Sequence, residues 1–458
     1  MKKSTTFLLS TAHRKTMAEA PPSPAGPGRS ALFALWVLAM CLLPAGTYAQ
    51  LTGIKTIPGD YATIAAAVAD LNAQGVGGGG VTFNVAAGHT ETSDGPGITA
   101  SGTAANPIVF QKSGGGANPS ITKLTAGSIA SSTTLGSHGD GIIILVGSDF
   151  ITFDGIDVTT NPAFTGNEQM EYGFYLKKAS GEDACKNVTI KNCAISLDKT
   201  ARYSFGVFVS NISGTSSVTV TSTDGRSENI KIFSNTISNV YGGVQLRGFA
   251  AATPYDFYDQ NNEVGEDGSN TINNYGGGAS IPYGVYAIYQ NNCKINNNNI
   301  SGGDGTTTAH YAIYLGTSNN SSYDVENNTI SITNNSTTSQ VTGIYSNIGT
   351  TGNTSNTVNI SGNTITNFDR PSATSGATYF IYSTSNYAFN LNISNNTIGN
   401  TNLPGTGAVY GIYQISIPTN YNVTNNTISN ITRTATTSTA LFYGISSTGS
   451  STGLNTTI

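Results

Sequence analysis

Along most of the chain, apolar and polar residues alternate in short bursts separated by asparagine, glycine and serine. The word NYNVTNNTISN, from Asn420 to Asn430, sets the pattern, and NLNISNNTIGN, TVNISGNTITN, SYDVENNTISI and CKINNNNISG repeat it upstream. In V-x-I and T-I-S every second residue is apolar, the period of a strand with one buried face. No unit sustains the three-and-four spacing of an amphipathic helix. Taking the isoleucine of each Asn-x-x-Ile word as a marker gives Ile156, Ile195, Ile237, Ile272, Ile300, Ile330, Ile365, Ile398 and Ile428, about 34 residues apart but unevenly spaced. A second word follows in each unit: YGFYL at Tyr172, SFGVFV at Ser204, YGVY at Tyr283, YAIYL at Tyr311, TGIYS at Thr342, YFIYS at Tyr379 and YGIYQ at Tyr410. Three short strands per unit, stacked in parallel, predict an all-β, three-sided solenoid of about nine or more coils.

The asparagines follow from that geometry. Between V-x-I and T-I-S the chain must bend sharply, and Asn tolerates the left-handed conformation such a bend uses. Asn235, Asn270, Asn298, Asn328, Asn363, Asn396 and Asn426 each lie two residues before a marker isoleucine. Stacked at the roughly 4.8 Å spacing of strands, their amides are expected to form a ladder. Cys193 takes the ladder place in one coil and Gly155 in another. The many Asn-x-Ser/Thr sequons come with the repeat and say little about glycosylation.

The ends read differently. DYATIAAAVADLNAQG predicts a capping helix over 60–75, with Asp60 as N-cap, Ile64, Val68 and Leu71 on one face and Gly75 as C-cap. VTFNVAAG at Val81 then opens the first coils. Residues 1–49 read as a signal peptide with a long basic leader (Lys2, Lys3, Arg14, Lys15, Arg29), an apolar run from Ala31 to Leu43 and cleavage near Ala49. That run is short of the roughly 20 residues a spanning helix needs, so export is expected, with no transmembrane helix in the mature chain. Residues 50–130 are assigned to the cap and first coils, and 131–458 to the repeats. GLNTTI stops partway through a repeat and reads as a truncation.

Composition narrows the function. Of 458 residues, 54 are Gly and only 10% are charged, but 23 Tyr and 17 Phe supply apolar surface that disordered chains lack. Without the five basic and one acidic residue of the leader, 15 basic face 24 acidic residues, a net charge near −9. Nucleic acid and anionic membranes are therefore not expected partners. Cys185, Cys193 and Cys293 are too few for a disulfide framework, leaving one pair or buried thiols.

The stretches GDYATIAAAVADLN, VTFNVAAGHTE, GTAANPIVFQKSG and SDFITFDGIDV, with the NNTIS repeats, resemble secreted right-handed parallel β-helix proteins of the pectate-lyase-like superfamily. The closer resemblance is to its cell-surface group in Gram-negative bacteria exported by type IX secretion. It covers roughly residues 53–458 and implies a right-handed parallel β-helix on the outer cell surface or secreted. It does not imply one activity, since the superfamily includes lyases, hydrolases, esterases and non-catalytic adhesins. Members resembling polygalacturonases carry Asp-Asp and Arg-Ile-Lys motifs absent here, and His138-Gly139 is an isolated echo. The sorting domain typical of the cell-surface group is not in this sequence.

Candidate chemistry falls into three sets. An outward column next to the inward residue of G-I-Y reads Tyr175, Phe208, Gln245, Tyr286, Tyr314, Tyr345, Tyr382 and Tyr413, and its tyrosines could stack on sugar rings or simply on one another. Thr236, Thr271, Thr329, Thr364, Thr397 and Thr427 form a second outward column, interrupted by Ala194 and Asn299. It suits a solvent-facing strand and, less directly, the ordering of water. Acid–base chemistry, if any, belongs between Asp140 and Asp267, with Lys177 and Arg247 placed to meet a uronate. Asp256, Asp259, Glu263, Glu266 and Asp267 would suit calcium, but their spacing matches no known calcium loop. They read as a solvated acidic loop, and neither metal nor cofactor is expected. The preferred reading is a non-catalytic scaffold binding polysaccharide or a cell-surface glycan through Tyr175, Tyr286, Tyr314, Tyr345, Tyr382 and Tyr413. The alternative is a polysaccharide lyase or glycoside hydrolase with its site in residues 140–267.

Overall fold

The computed structural model describes residues 49–458 apart from 94–96, 127–139, 165–171, 202, 279, 350–354, 385–387, 416–417, 436–440, 449–454 and 458. The leader expected over 1–49 lies outside the described residues except for Ala49, as does His138-Gly139. Among the described residues no helix is long and apolar enough to cross a membrane.

The chain winds as a right-handed parallel β-solenoid of about 11 turns. The V-x-I strands form a first sheet of 13 strands, the T-I-S strands a second of 11 and the G-I-Y strands a third of 10. Register is kept by identity of side chain. Ile237, Ile272, Ile300, Ile330, Ile365, Ile398 and Ile428 pair in sequence up the second sheet. Ile313, Ile344, Ile381 and Ile412 do so in the third. Nearly all of them are fully buried, and burying each such side chain contributes roughly 1.5–3 kcal/mol. In the first coils the core is aromatic, with Phe83 on Phe110 at 4.6 Å and Phe110 on Phe153 at 5.3 Å.

At the corner between the first two sheets the amides close a continuous chain of hydrogen bonds. The Nδ2 of Asn235, Asn270, Asn298, Asn328, Asn363 and Asn396 donates to the Oδ1 of the next asparagine at 2.9–3.1 Å, ending on Asn426. Each Nδ2 also donates to a carbonyl of the coil before, as Asn328 does to Ile295 O at 2.7 Å. The left-handed residue is the one before: Asn297, Asn327, Asn395 and Asn425 have φ of 56–61°, and Ser234 and Gly362 take that place elsewhere. In Asn-Asn-Thr-Ile the first asparagine turns the chain and the second ties the coils. Left-handed asparagines mark the other two corners as well, at Asn239, Asn274, Asn367, Asn400 and Asn430, and at Asn187, Asn229, Asn261 and Asn292.

Two details differ from expectation. Ile156 is not a marker: Val158 pairs with Ile195, because Gly155, at φ 68°, takes the turning place that Asn192 holds at φ 57° in the next coil. Ile156 and Cys193 therefore occupy the rung positions below Asn235, and the ladder ends where Cys193 N donates to Asn235 Oδ1 at 3.0 Å. The helix runs Ile64–Gln74, and its N-cap is Thr63, whose hydroxyl accepts from Ala66 N. Asp60 instead accepts from Thr56 N at 2.7 Å, closing the turn before the helix. The buried Glu91 carboxylate accepts from Ile64 N and Ala65 N at 2.7 and 3.0 Å, a charge placed where the helix dipole favours it.

Candidate functional site

The outer face of the third sheet carries two aromatic columns. Tyr286, Tyr314, Tyr345 and Tyr382 pair in register with one another and then with Tyr413. Beside them run Tyr283, Tyr311, Thr342, Tyr379, Tyr410 and Tyr443. Strict alternation would put residues three apart on opposite faces. Here the two residues between the tyrosines of Tyr-x-x-Tyr, such as Ala312 and Ile313, are both fully buried. Both rings nevertheless emerge together: the Tyr283–Tyr286, Tyr379–Tyr382 and Tyr410–Tyr413 centroids are 5.0, 4.5 and 4.3 Å apart. Along the columns Tyr314 stacks on Tyr345 at 4.7 Å and Tyr379 on Tyr410 at 4.9 Å.

From Tyr283 to Tyr413 these rings are partly exposed. Burial, and after it the neighbouring phenols, push Tyr311 and Tyr379 up to about 12 and also raise Tyr286 and Tyr345. The phenols remain neutral hydrogen-bonding groups at ordinary pH. The face can stack apolar sugar surfaces on π-systems while hydroxyls meet phenols at the wet edge.

In the earlier coils the same columns are covered. Tyr172, Tyr175 and Phe208 are 0% exposed, packed with Phe205, Ile212 and Tyr241. Tyr175 therefore leaves the set of residues able to touch a ligand, because the hairpin at Ile212–Ser213 and Ser216–Ser217 closes over this part of the sheet. Lys177 donates to Gly214 O of that hairpin and lies over the Tyr175 ring at 5.4 Å. Burial holds its ammonium below the usual range.

Between the covered and open parts, one coil has no aromatic pair: Gly242 and Gln245 stand in register where the next coil has Tyr283 and Tyr286. A hollow of about 530 Å³ results, lined on the sheet by Phe205, Gln245, Tyr283 and Tyr286. Its walls come from the segments that lead into those strands, Tyr203, Tyr241, Ser280, Ile281, Thr308 and Ala309. A second hollow of about 300 Å³ is lined by Arg247, Asn211, Phe249 and Tyr289.

The acidic stretch is a solvated loop only in part: Asp256 and Asp267 are exposed, but the others are drawn into the coils. Asp259 is fully buried and bonds Lys178 at 3.1 Å. Glu263 lies 3.3 Å from Lys231 and 3.5 Å from Lys294, Glu266 is 2.9 Å from Lys294, and Asp267 is 2.7 Å from Lys231. Register explains it, since Lys231, Glu263, Lys294 and Asp324 pair in turn up the first sheet. Among the described residues no three His, Cys, Asp or Glu gather as a metal would require. Cys185, Cys193 and Cys293 are free and buried, and burial pushes the first two thiols up to about 12. Asp149, at the corner between the third and first sheets, is the acid that departs most usefully. Burial first, and Asp183 after it, push it up to about 6 although its Oδ1 accepts from Lys186 N at 2.7 Å.

The second tyrosine column was written in the sequence as a repeated Tyr-x-x-Tyr, but period-two reasoning assigns its members to the wrong face. The Gly-Gly-Val-Gln break at 242–245 was likewise visible but had no meaning without the neighbouring loops.

Fold and face together define a right-handed parallel β-solenoid with an aromatic outer sheet. No protein-family model matches the chain, and no curated protein sequence does. Among solved structures it is similar to the Azotobacter vinelandii mannuronan C-5 epimerase AlgE4 A-module, with TM-score 0.44 and 12% identity over 88% of this chain and 98% of that one. It is also similar to the alginate lyase from Paenibacillus sp. str. FPU-7, with TM-score 0.37 and 12% identity over 85% and 97%. A third is the Streptococcus pneumoniae surface protein and adhesin PfbA, with TM-score 0.38 and 14% identity over 88% and 97%. Likenesses this distant carry no chemistry to this chain.

Proposed function

We propose that the chain is an exported, non-catalytic β-solenoid scaffold that holds an extended polysaccharide or cell-surface glycan along the tyrosine face of its third sheet. The observation that carries this reading is the unbroken run of partly exposed rings from Tyr283 to Tyr413, one or two per coil, stacked at 4.3–5.9 Å. No strand of the third sheet from Tyr283 onward contains Asp, Glu, Lys or Arg, and its one histidine, His310, is buried and held neutral by that burial, which pushes it down to about 3. Such a face offers ring stacking and neutral hydrogen bonds but no cation for a carboxylate. The double variant Tyr314→Ala, Tyr345→Ala is expected to lose at least about tenfold in retention on a polysaccharide column. Unchanged retention would remove the tyrosine face from the account.

The second reading, a polysaccharide lyase or glycoside hydrolase, draws on Asp149, whose raised carboxyl would suit a general acid. Incubation with pectate, alginate and glycosaminoglycans, followed by absorbance of unsaturated ends and by reducing sugar, separates the two readings. Turnover abolished by Asp149→Asn would favour the enzyme.

A further inference from the structure

The hollow beside Gln245 has a feature that a gap in packing would not need. Gln245 is 0% exposed, yet neither its Oε1 nor its Nε2 has a hydrogen-bond partner. A buried amide left in that state costs about 1–3 kcal/mol per group. The ladder amides of Asn270, Asn298 and Asn328 are satisfied to the last atom, and at Asn211 and Asn347 only the Oδ1 lacks a partner, whereas at Gln245 both ends of the amide do. A leucine at 245 would pack against Phe208 and Tyr286 without that cost. The amide instead lies in the lining of the hollow, at the coil where the paired aromatic positions read Gly242 and Gln245. The remaining lining is Phe205, Tyr203, Tyr241, Tyr283, Tyr286, Ile281, Ser280, Thr308 and Ala309, with no charged group among them. About 530 Å³ is within the range of small-molecule sites, and a mainly aromatic lining with a few polar groups, here the Gln245 amide with Ser280 and Thr308, is their usual chemistry.

We infer that this hollow is an end-binding subsite: it receives the terminal, uncharged sugar unit of a glycan lying on the tyrosine face, and Gln245 reads that unit's hydroxyls. The inference rests on the glycan reading above and adds the ligand class and the polarity of binding. One amide presents a donor and an acceptor side by side, which matches two neighbouring hydroxyls of a pyranose. The ring itself has Tyr283 and Tyr286 as stacking partners and Tyr241 as a wall, held in place by its hydroxyl donating to Ile281 O. The open face begins on the side of Tyr286, and the covered cluster of Tyr175 and Phe208 closes the other side. A chain laid along the rings therefore meets a stop here. A uronate end is disfavoured because its carboxylate would be desolvated against rings, and Arg247, the cation that acts on Tyr286 from outside, is not in the lining.

The test uses the full chain and calorimetric titration with short oligosaccharides of glucose, xylose and N-acetylglucosamine, alongside oligomers of galacturonate and mannuronate. The wild type is expected to bind a neutral oligosaccharide and to bind the uronates at least about tenfold more weakly. Gln245→Leu is expected to weaken the neutral ligand by about tenfold or more while its melting temperature holds or rises, a combination that a merely structural glutamine would not give. Ile281→Trp, which narrows the mouth from the exposed side, is expected to weaken the same ligand without touching the core. Binding by Gln245→Leu equal to wild type, a preference for uronates, or no binding to any of the panel would each overturn the inference. If Gln245→Leu loses affinity while the Tyr314→Ala, Tyr345→Ala double keeps full polymer retention, the hollow stands and the tyrosine face falls.

Discussion

Two columns run through most of the coils, and they meet their surroundings in opposite ways. At the corner between the first and second sheets, Asn298, Asn328, Asn363 and Asn396 are buried and every amide hydrogen and lone pair in use is closed within the protein. On the third sheet, Tyr314, Tyr345, Tyr382 and Tyr413 pack ring against ring, stacked or edge-on, but keep part of each ring at the surface. Both columns repeat once per coil, so repetition alone does not separate architecture from function. Satisfaction does: a column whose bonds are complete has nothing left to offer a ligand, and one that is stacked but open has.

The largest expected effect lies in the closed column. Asn328→Leu strands the backbone N–H of Asn298 and one hydrogen of its Nδ2, and removes the side-chain donors to Asn363 Oδ1 and Ile295 O, and is expected to cost about 3–5 kcal/mol in urea unfolding. Tyr345→Ala in the open column is expected to cost about 1–2 kcal/mol, the loss of ring contacts with Tyr311, Tyr314 and Tyr382. Equal costs would erase the distinction between the columns.

Asp149 is an intermediate case, half-buried and bonded at one oxygen. Burial pushes its folded-state pKa up to about 6, above the ordinary carboxylate range. The native state therefore binds the proton more tightly, and stability contributed by this group is present below about pH 4 and lost as pH rises to about 6. In Asp149→Asn that loss is expected to be smaller, by about 1 kcal/mol after solvent screening, measured as the difference in unfolding free energy between pH 4 and pH 7. An unchanged difference would mean the carboxyl is better solvated than its burial suggests.

The smallest expected effect is none at all. With Tyr311 and Tyr379 pushed up to about 12 and Tyr286 and Tyr345 raised as well, glycan retention should stay level from about pH 6 to pH 9. A loss of retention within that window would point to a titrating group outside the rings.

Much of this was legible in the residues themselves. A period of two in V-x-I and T-I-S, a repeat of variable length and an asparagine at a fixed offset are enough to dictate three stacked sheets, because only identical side chains in register bury an isoleucine and saturate an amide in every coil. What the repeat could not dictate is where neighbouring, non-repeated segments fall. Tyr175 and Phe208 look like Tyr314 and Tyr345 in sequence, yet a hairpin covers the first pair. Asp259 and Glu263 look like a solvated loop, yet parallel register sets lysines of adjacent coils against them. Ala312 and Ile313 are both buried, which breaks the local alternation and leaves Tyr311 on the same face as Tyr314, and the hollow at Gln245 depends on walls from coils before and after it. Local pattern determined the coil, since each strand's burial is a short-range property. Tertiary structure decided which parts of its surface stay open, because that depends on contacts between residues tens of positions apart.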